Sequence, residues 1–160
     1  MIIYHGGTDV IEVPRIITAY TGRDFGTGFY TTDIKGQAVK WAKRQVLYRK
    51  KDDAILNIYE FDDAALGILK VKTFEDYTME WLDFVVDCRQ NASLRHEYDL
   101  VIGKIANDDV GETVQAVVDG LTPKDFALSK LVFMKANNQI CFSTEIALKH
   151  LKFISSERVN

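Results

Sequence analysis

Three short segments set a polar or aromatic residue beside the end of an apolar run: Tyr4-His5-Gly6, Gly28-Phe29-Tyr30-Thr31-Thr32 and Asn138-Gln139-Ile140-Cys141-Phe142. Histidine and glutamine bring hydrogen-bonding groups. Tyrosine brings a flat wall that loses little entropy on stacking. Glycine lets a main chain come close to a ligand. These residue types suit the holding of a small molecule. The stretch from Tyr20 to Thr32, YTGRDFGTGFYTT, is then a phosphate loop, a plain hairpin, or one wall of a pocket.

Several chemistries are excluded. The glycine stretch lacks the Gly-Lys-Ser/Thr ending of a phosphate loop, and Thr31 stands where a dinucleotide fingerprint has its third glycine. No Gly-x-Ser-x-Gly elbow occurs. The histidines, His5, His96 and His150, form no pair at ligand spacing, and with two scattered cysteines no metal site is expected. Cys88 and Cys141 lie in apolar patterns and read as inert core thiols. The run from Lys40 to Lys51 carries a solvent face, and its last basic residues offset the helix dipole. Nucleic acid is therefore not an expected partner.

The elements that must position these residues follow from period and punctuation. Met1–His5 reads as a buried strand. Residues 8–27 are irregular, with Pro14, Gly22, Gly26 and Gly28 as breakers. Asp33 is the expected N-cap of a helix over 34–51, with Ala38, Trp41, Gln45 and Tyr48 on its apolar face. Gln37 stands slightly late for a capping box. Strands are expected over Ala54–Phe61, Leu69–Phe74, Tyr98–Ala106, Ala136–Ser143 and Lys152–Arg158. Helices are expected over Thr78–Gln90, from an Asp109-x-x-Glu112 capping box to Leu121, from Pro123 onward, and over Thr144–Leu151. The irregular mixture of strands and helices argues an α+β fold. The chain has 160 residues and a net charge of −3, without an internal linker or repeat, so one domain over 1–160 is expected. No apolar run approaches membrane length. No signal peptide is expected at the N-terminus, and the cysteine usage fits a reducing cytoplasm.

The ordered set DFGTGFYTT, the Trp-containing helix after it, YDLVIGKIAND and NNQICFSTEIALKHLKF resembles the ADP-ribosyltransferase superfamily, in the branch whose triad is His, Tyr and Glu. Within it, the chain is similar to a bacterial family of uncharacterised proteins. The resemblance covers nearly the whole chain. It implies a split mixed sheet with peripheral helices, and NAD as co-substrate with no metal. His5 would bond a ribose hydroxyl, and Gly6 would clamp the nicotinamide amide through its main chain. Tyr30 would stack on nicotinamide as a catalytic residue, and Gly28, Phe29 and Thr31 beside it would also contact NAD. Asn107 and Asp108 would line the site. Gln139 stands where the branch has its catalytic Glu, and would orient the nicotinamide-side ribose. The resemblance also implies transfer of ADP-ribose to an unknown acceptor, in a toxin–antitoxin or defence setting with a small antitoxin-like protein coded nearby. A binding module without turnover is the alternative.

Read without the resemblance, His5 caps a turn, Tyr30 is core, Gln139 faces solvent, and Asn107 or Asp108 caps the next helix. With it, a pocket is expected between His5, Tyr30 and Gln139. Tyr30→Ala is then expected to weaken ligand binding more than folding.

Overall fold

The computed structural model describes residues 1–18, 22–91, 95–104, 108–131 and 137–160, with Asp108 by its backbone only. The fold is α+β, with two sheets and five α-helices among the described residues. The first sheet joins β1 (Ile2–Gly7), β3 (Ile55–Phe61) and β7 (Leu151–Arg158), all antiparallel with β3 central. The second has the order β2 (Phe29–Thr31), β6 (Asn138–Phe142), β5 (Leu100–Lys104), β4 (Val71–Phe74). Only its β4–β5 pair is parallel. The two sheets touch through one antiparallel bridge, where the Tyr4 and Thr32 backbones exchange bonds of 2.8 and 2.9 Å.

Period-two alternation divides the core. Ile3, Phe29, Tyr59, Phe61, Leu100, Ile140 and Phe142 fill the space between the sheets. Val101 and Cys141 face the other way, under α2 (Met79–Gln90), α3 (Asp108–Val118) and α4 (Lys124–Leu131). Trp81, Leu82 and Val85 of α2 and Val110 and Val114 of α3 complete that layer. Thr78 caps α2 by accepting from the Trp81 N–H. Thr144 caps the short α5 (Glu145–Leu148) in the same way.

Helix α1 (Lys35–Arg49) departs from its expected face. Ala38 and Ala42 are buried, whereas Trp41 is 48% and Tyr48 84% exposed. The cause lies in β1. A Cβ on Gly6 would come within 2.0 Å of the Ala38 carbonyl oxygen and 2.9 Å of the Ala42 nitrogen. The helix lies directly on the strand, so alanines fit the contact and aromatics do not. The expected caps also shift. Ile34 occupies the N-cap without a side-chain bond, and Thr32 Oγ1 accepts from the Ile34 N–H. Asp33 instead accepts from the Asn138 side chain at 3.0 Å. Asp109 lies inside α3, where its carbonyl accepts from Thr113 Oγ1, so it does not open a capping box.

Candidate functional site

The strands carrying the three motifs are neighbours. β1 meets β2 at the bridge, and β2 pairs with β6 through Phe29–Phe142, Tyr30–Cys141 and Thr31–Ile140. Beyond the bridge β1 and β2 part, and the His5 ring enters the split. Its Nδ1 lies 2.7 Å from the Tyr30 carbonyl oxygen. A carbonyl only accepts, so Nδ1 carries the proton and Nε2 of the neutral ring is an acceptor. Burial lowers the His5 pKa below 6.5, and the charges of Arg23 and Arg49 act in the same direction against the Tyr30 carbonyl bond. The ring also stacks on Phe29, with centroids 4.7 Å apart.

Gly6 offers its main chain by register. Tyr4 spends its N–H and C=O on Thr32, so in the alternating ladder His5 bonds β3, and Gly6, like Tyr4, points its groups away from β3. The Cα hydrogen in the place of a side chain faces α1. Gly28 is enclosed, since a Cβ there would lie 2.4 Å from Cys141 Sγ and 2.6 Å from the Phe142 carbonyl oxygen. Phe29 and Thr31 are 3% and 4% exposed. Phe29 packs edge-on to Tyr59, and Thr31 Oγ1 donates to the Ile140 carbonyl. These three residues support the strand and present no side-chain surface to a ligand.

Tyr30 is partly buried and packs against the helix-covered core. Its hydroxyl donates to the Gly26 carbonyl at 2.5 Å and accepts from the Phe25 N–H at 3.2 Å. The Arg23 guanidinium lies 4.9 Å from the ring centroid. Burial first, then Cys141 and Asp24, push the phenol pKa well above 10, so it stays protonated. The loop before Tyr30 is pinned by a buried ion pair, Arg89–Asp24 at 2.6 Å, and Arg89 also donates to the Gly111 carbonyl. Cys88 and Cys141 are buried, and burial raises their thiols to about 12 and about 11, as inert core cysteines require.

Gln139 opposes Gly103 and shares the face of Cys141 and Tyr30. Its Oε1 is buried without a hydrogen-bond partner. One other buried side-chain oxygen among the described residues is in that state, Oε1 of Gln37, whose Nε2 donates to the Asn138 carbonyl at 2.8 Å. Gln37 and Arg23 were not singled out as site residues from sequence. The lateness of Gln37 for a capping box was its one signal.

His5, Tyr30 and Gln139 thus occupy adjoining strands, with their side chains divided between two sheet faces. His5 and Phe29 lie on the inter-sheet side, Tyr30 and Gln139 on the helix side. One hollow, ≈ 580 Å³, is bounded by Met1, Asp63, Lys149 and His150, and another, ≈ 330 Å³, by Ile34, Thr73, Ile102 and Asn138. Asn107 lies outside the described residues, as do Tyr20 and Thr21, and Asp108 opens α3 with its side chain undescribed. Among the described residues no group of three His, Cys, Asp or Glu could hold a metal, and no helix is long and apolar enough to cross a membrane.

Compared with known proteins, the chain matches over residues 1–153 a family model described as "Protein of unknown function (DUF3990)". No curated protein and no solved structure matches it.

Proposed function

We propose that this chain, which belongs to the DUF3990 family, binds NAD at the junction of its two sheets and transfers the ADP-ribosyl group to an acceptor. The observation that carries this reading is the buried, unmatched Oε1 of Gln139, on the strand beside β2. A buried acceptor without a donor is costly. A ribose hydroxyl supplies the missing donor. The ADP-ribosyltransferase resemblance supports the same position, since it sets a ribose-holding residue there.

The other groups take compatible roles. Nε2 of neutral His5 accepts from a hydroxyl of the other, adenine-side ribose, while Nδ1 holds the Tyr30 carbonyl and hence the spacing of β1 and β2. The main chain of Gly6 meets the carboxamide of nicotinamide. The Tyr30 ring gives a wall whose tilt is fixed by its anchored hydroxyl. In the reaction the ribose–nicotinamide C–N bond breaks, and its electron pair leaves with the ring. The acceptor's nucleophile bonds to the same ribose carbon and loses its proton. The transition state resembles an oxocarbenium ion, as in glycoside cleavage, and much of the rate comes from positioning.

Gln139 also supports the second reading, a module that binds NAD without turnover. Glutamate would bring charge to the developing cation, and charge-assisted bonds are roughly twice as strong as neutral ones. Glutamine keeps ground-state binding and gives up part of the transition-state stabilisation. NAD cleavage by wild type, Gln139→Glu and Gln139→Ala tests both readings. The transferase reading expects slow cleavage, raised by Gln139→Glu and lowered by Gln139→Ala. Binding with no cleavage in any of the three leaves the module. Equal, measurable cleavage by all three folded proteins removes Gln139 from the site.

A further inference from the structure

We propose that Gln37, in the first turn of α1, is a second ligand-binding residue of this site. With Gln139 it forms a pair of uncharged acceptors that takes the two hydroxyls of the nicotinamide-side ribose. This inference rests on the NAD reading above. Oε1 of Gln37 and Oε1 of Gln139 are the two buried side-chain polar atoms without a hydrogen-bond partner among the described residues. They flank the same backbone unit. Gln37 Nε2 donates to the carbonyl of Asn138, and Gln139 is the next residue.

The orientation of the Gln37 amide is fixed. Exchanging its oxygen and nitrogen would set Oε1 against the Asn138 carbonyl, two acceptors face to face. The oxygen is therefore the end left over. The location has a topological cause. β2 ends at Thr31, and Thr32 turns its backbone to Tyr4, so no strand continues opposite Asn138 on that side. The Gln37 side chain fills the place of the missing strand. The Asn138 side chain is tied to Asp33 at 3.0 Å, which holds the start of α1 against the start of β6.

The chemistry limits the ligand. Two carbonyl oxygens require donors. Neither brings the charge that would offset desolvation of an ammonium or guanidinium group. Neutral hydroxyls suit these two neutral acceptors, which belong to a side chain bonded to Asn138 and to the residue that follows it. Carboxylates would compete for cations, whereas amides select the uncharged diol.

Calorimetric titration tests the assignment with three probes: NAD and its analogues lacking the 2′- or the 3′-hydroxyl of the nicotinamide-side ribose. Wild type should bind each analogue about tenfold more weakly than NAD, the order of one buried hydrogen bond. Gln37→Met should bind NAD about tenfold more weakly and should no longer discriminate against one of the two analogues. A uniform loss toward all three probes is what a purely structural bond to Asn138 would give, and it overturns the proposal. So does wild-type indifference to one hydroxyl, which needs no variant to fold. If wild type binds none of the probes, the NAD reading falls and this one with it. If wild type and Gln37→Met bind NAD equally, only the role of Gln37 falls.

Discussion

Replacing Tyr30 by phenylalanine deletes one oxygen and keeps the ring. That oxygen donates to the Gly26 carbonyl and accepts from the Phe25 N–H. Phe25 is fully buried, whereas Gly26 is partly exposed. The Gly26 carbonyl can turn to water, so its loss is one ordinary bond, about 0.5–1.5 kcal/mol. The Phe25 N–H has no such recourse and carries the cost of an unmatched buried donor, about 1–3 kcal/mol. Together Tyr30→Phe should destabilise the fold by about 2–4 kcal/mol. Urea unfolding should show a lower midpoint at unchanged slope. In a chain of this size the melting temperature should fall by roughly 4–16 °C. A loss below about 0.5 kcal/mol, the level of an ordinary surface substitution, would refute the anchoring argument. The same geometry reverses the sequence expectation for Tyr30→Ala. Removing the whole ring from a packed layer costs about 3–5 kcal/mol, more than the roughly 1 kcal/mol of a lost stacking contact.

Three further outcomes follow from the packing and charges. Gly6→Ala should cost at least about 1–3 kcal/mol by overpacking, because its Cβ meets helix backbone, while Gly67→Ala, with nothing within 4 Å, should be near neutral in the same melts. Arg89→Met should cost about 3–5 kcal/mol in denaturant unfolding, since Asp24 would remain buried with that partner gone. The folded pKa of His5 lies below the unfolded 6.5, chiefly through burial; its contribution to stability is complete above that value and is lost as pH falls toward the depressed folded value. Wild type should therefore lose stability more steeply than His5→Gln on going from about pH 7 to 5, and parallel profiles would contradict the buried neutral ring.

The order of elements was legible because local patterns determine it. Ala54–Phe61 and Ala136–Ser143 read as strands from their apolar content, and β3 and β6 lie within them. Thr78 and Thr144 read as helix starts, and both are caps. What escaped was set by distant partners. The outward turn of Trp41 follows from Gly6, some 35 residues earlier in a chain whose period alone cannot name the facing strand. Asp33 looked like a cap because nothing near it in sequence announces Asn138. The 3-10 turn Asp63–Gly67 is too short to show a period. The candidate site was legible as three motifs, and their strands are neighbours. The division of its side chains between two sheet faces was not, because it depends on where β1 and β2 part. Gln37 escaped for the same reason, since its significance lies in where β2 stops.

The account rests most on NAD occupying the junction of the two sheets. Amide chemical shifts of the wild-type protein, followed while NAD is added, test this directly. The account predicts saturable shifts at Gly6, Gly7, Thr32, Gln37 and Gln139, with residues around Met1, Asp63 and His150 unmoved. Shifts confined to the Met1–His150 hollow, or none with the protein folded, would contradict it.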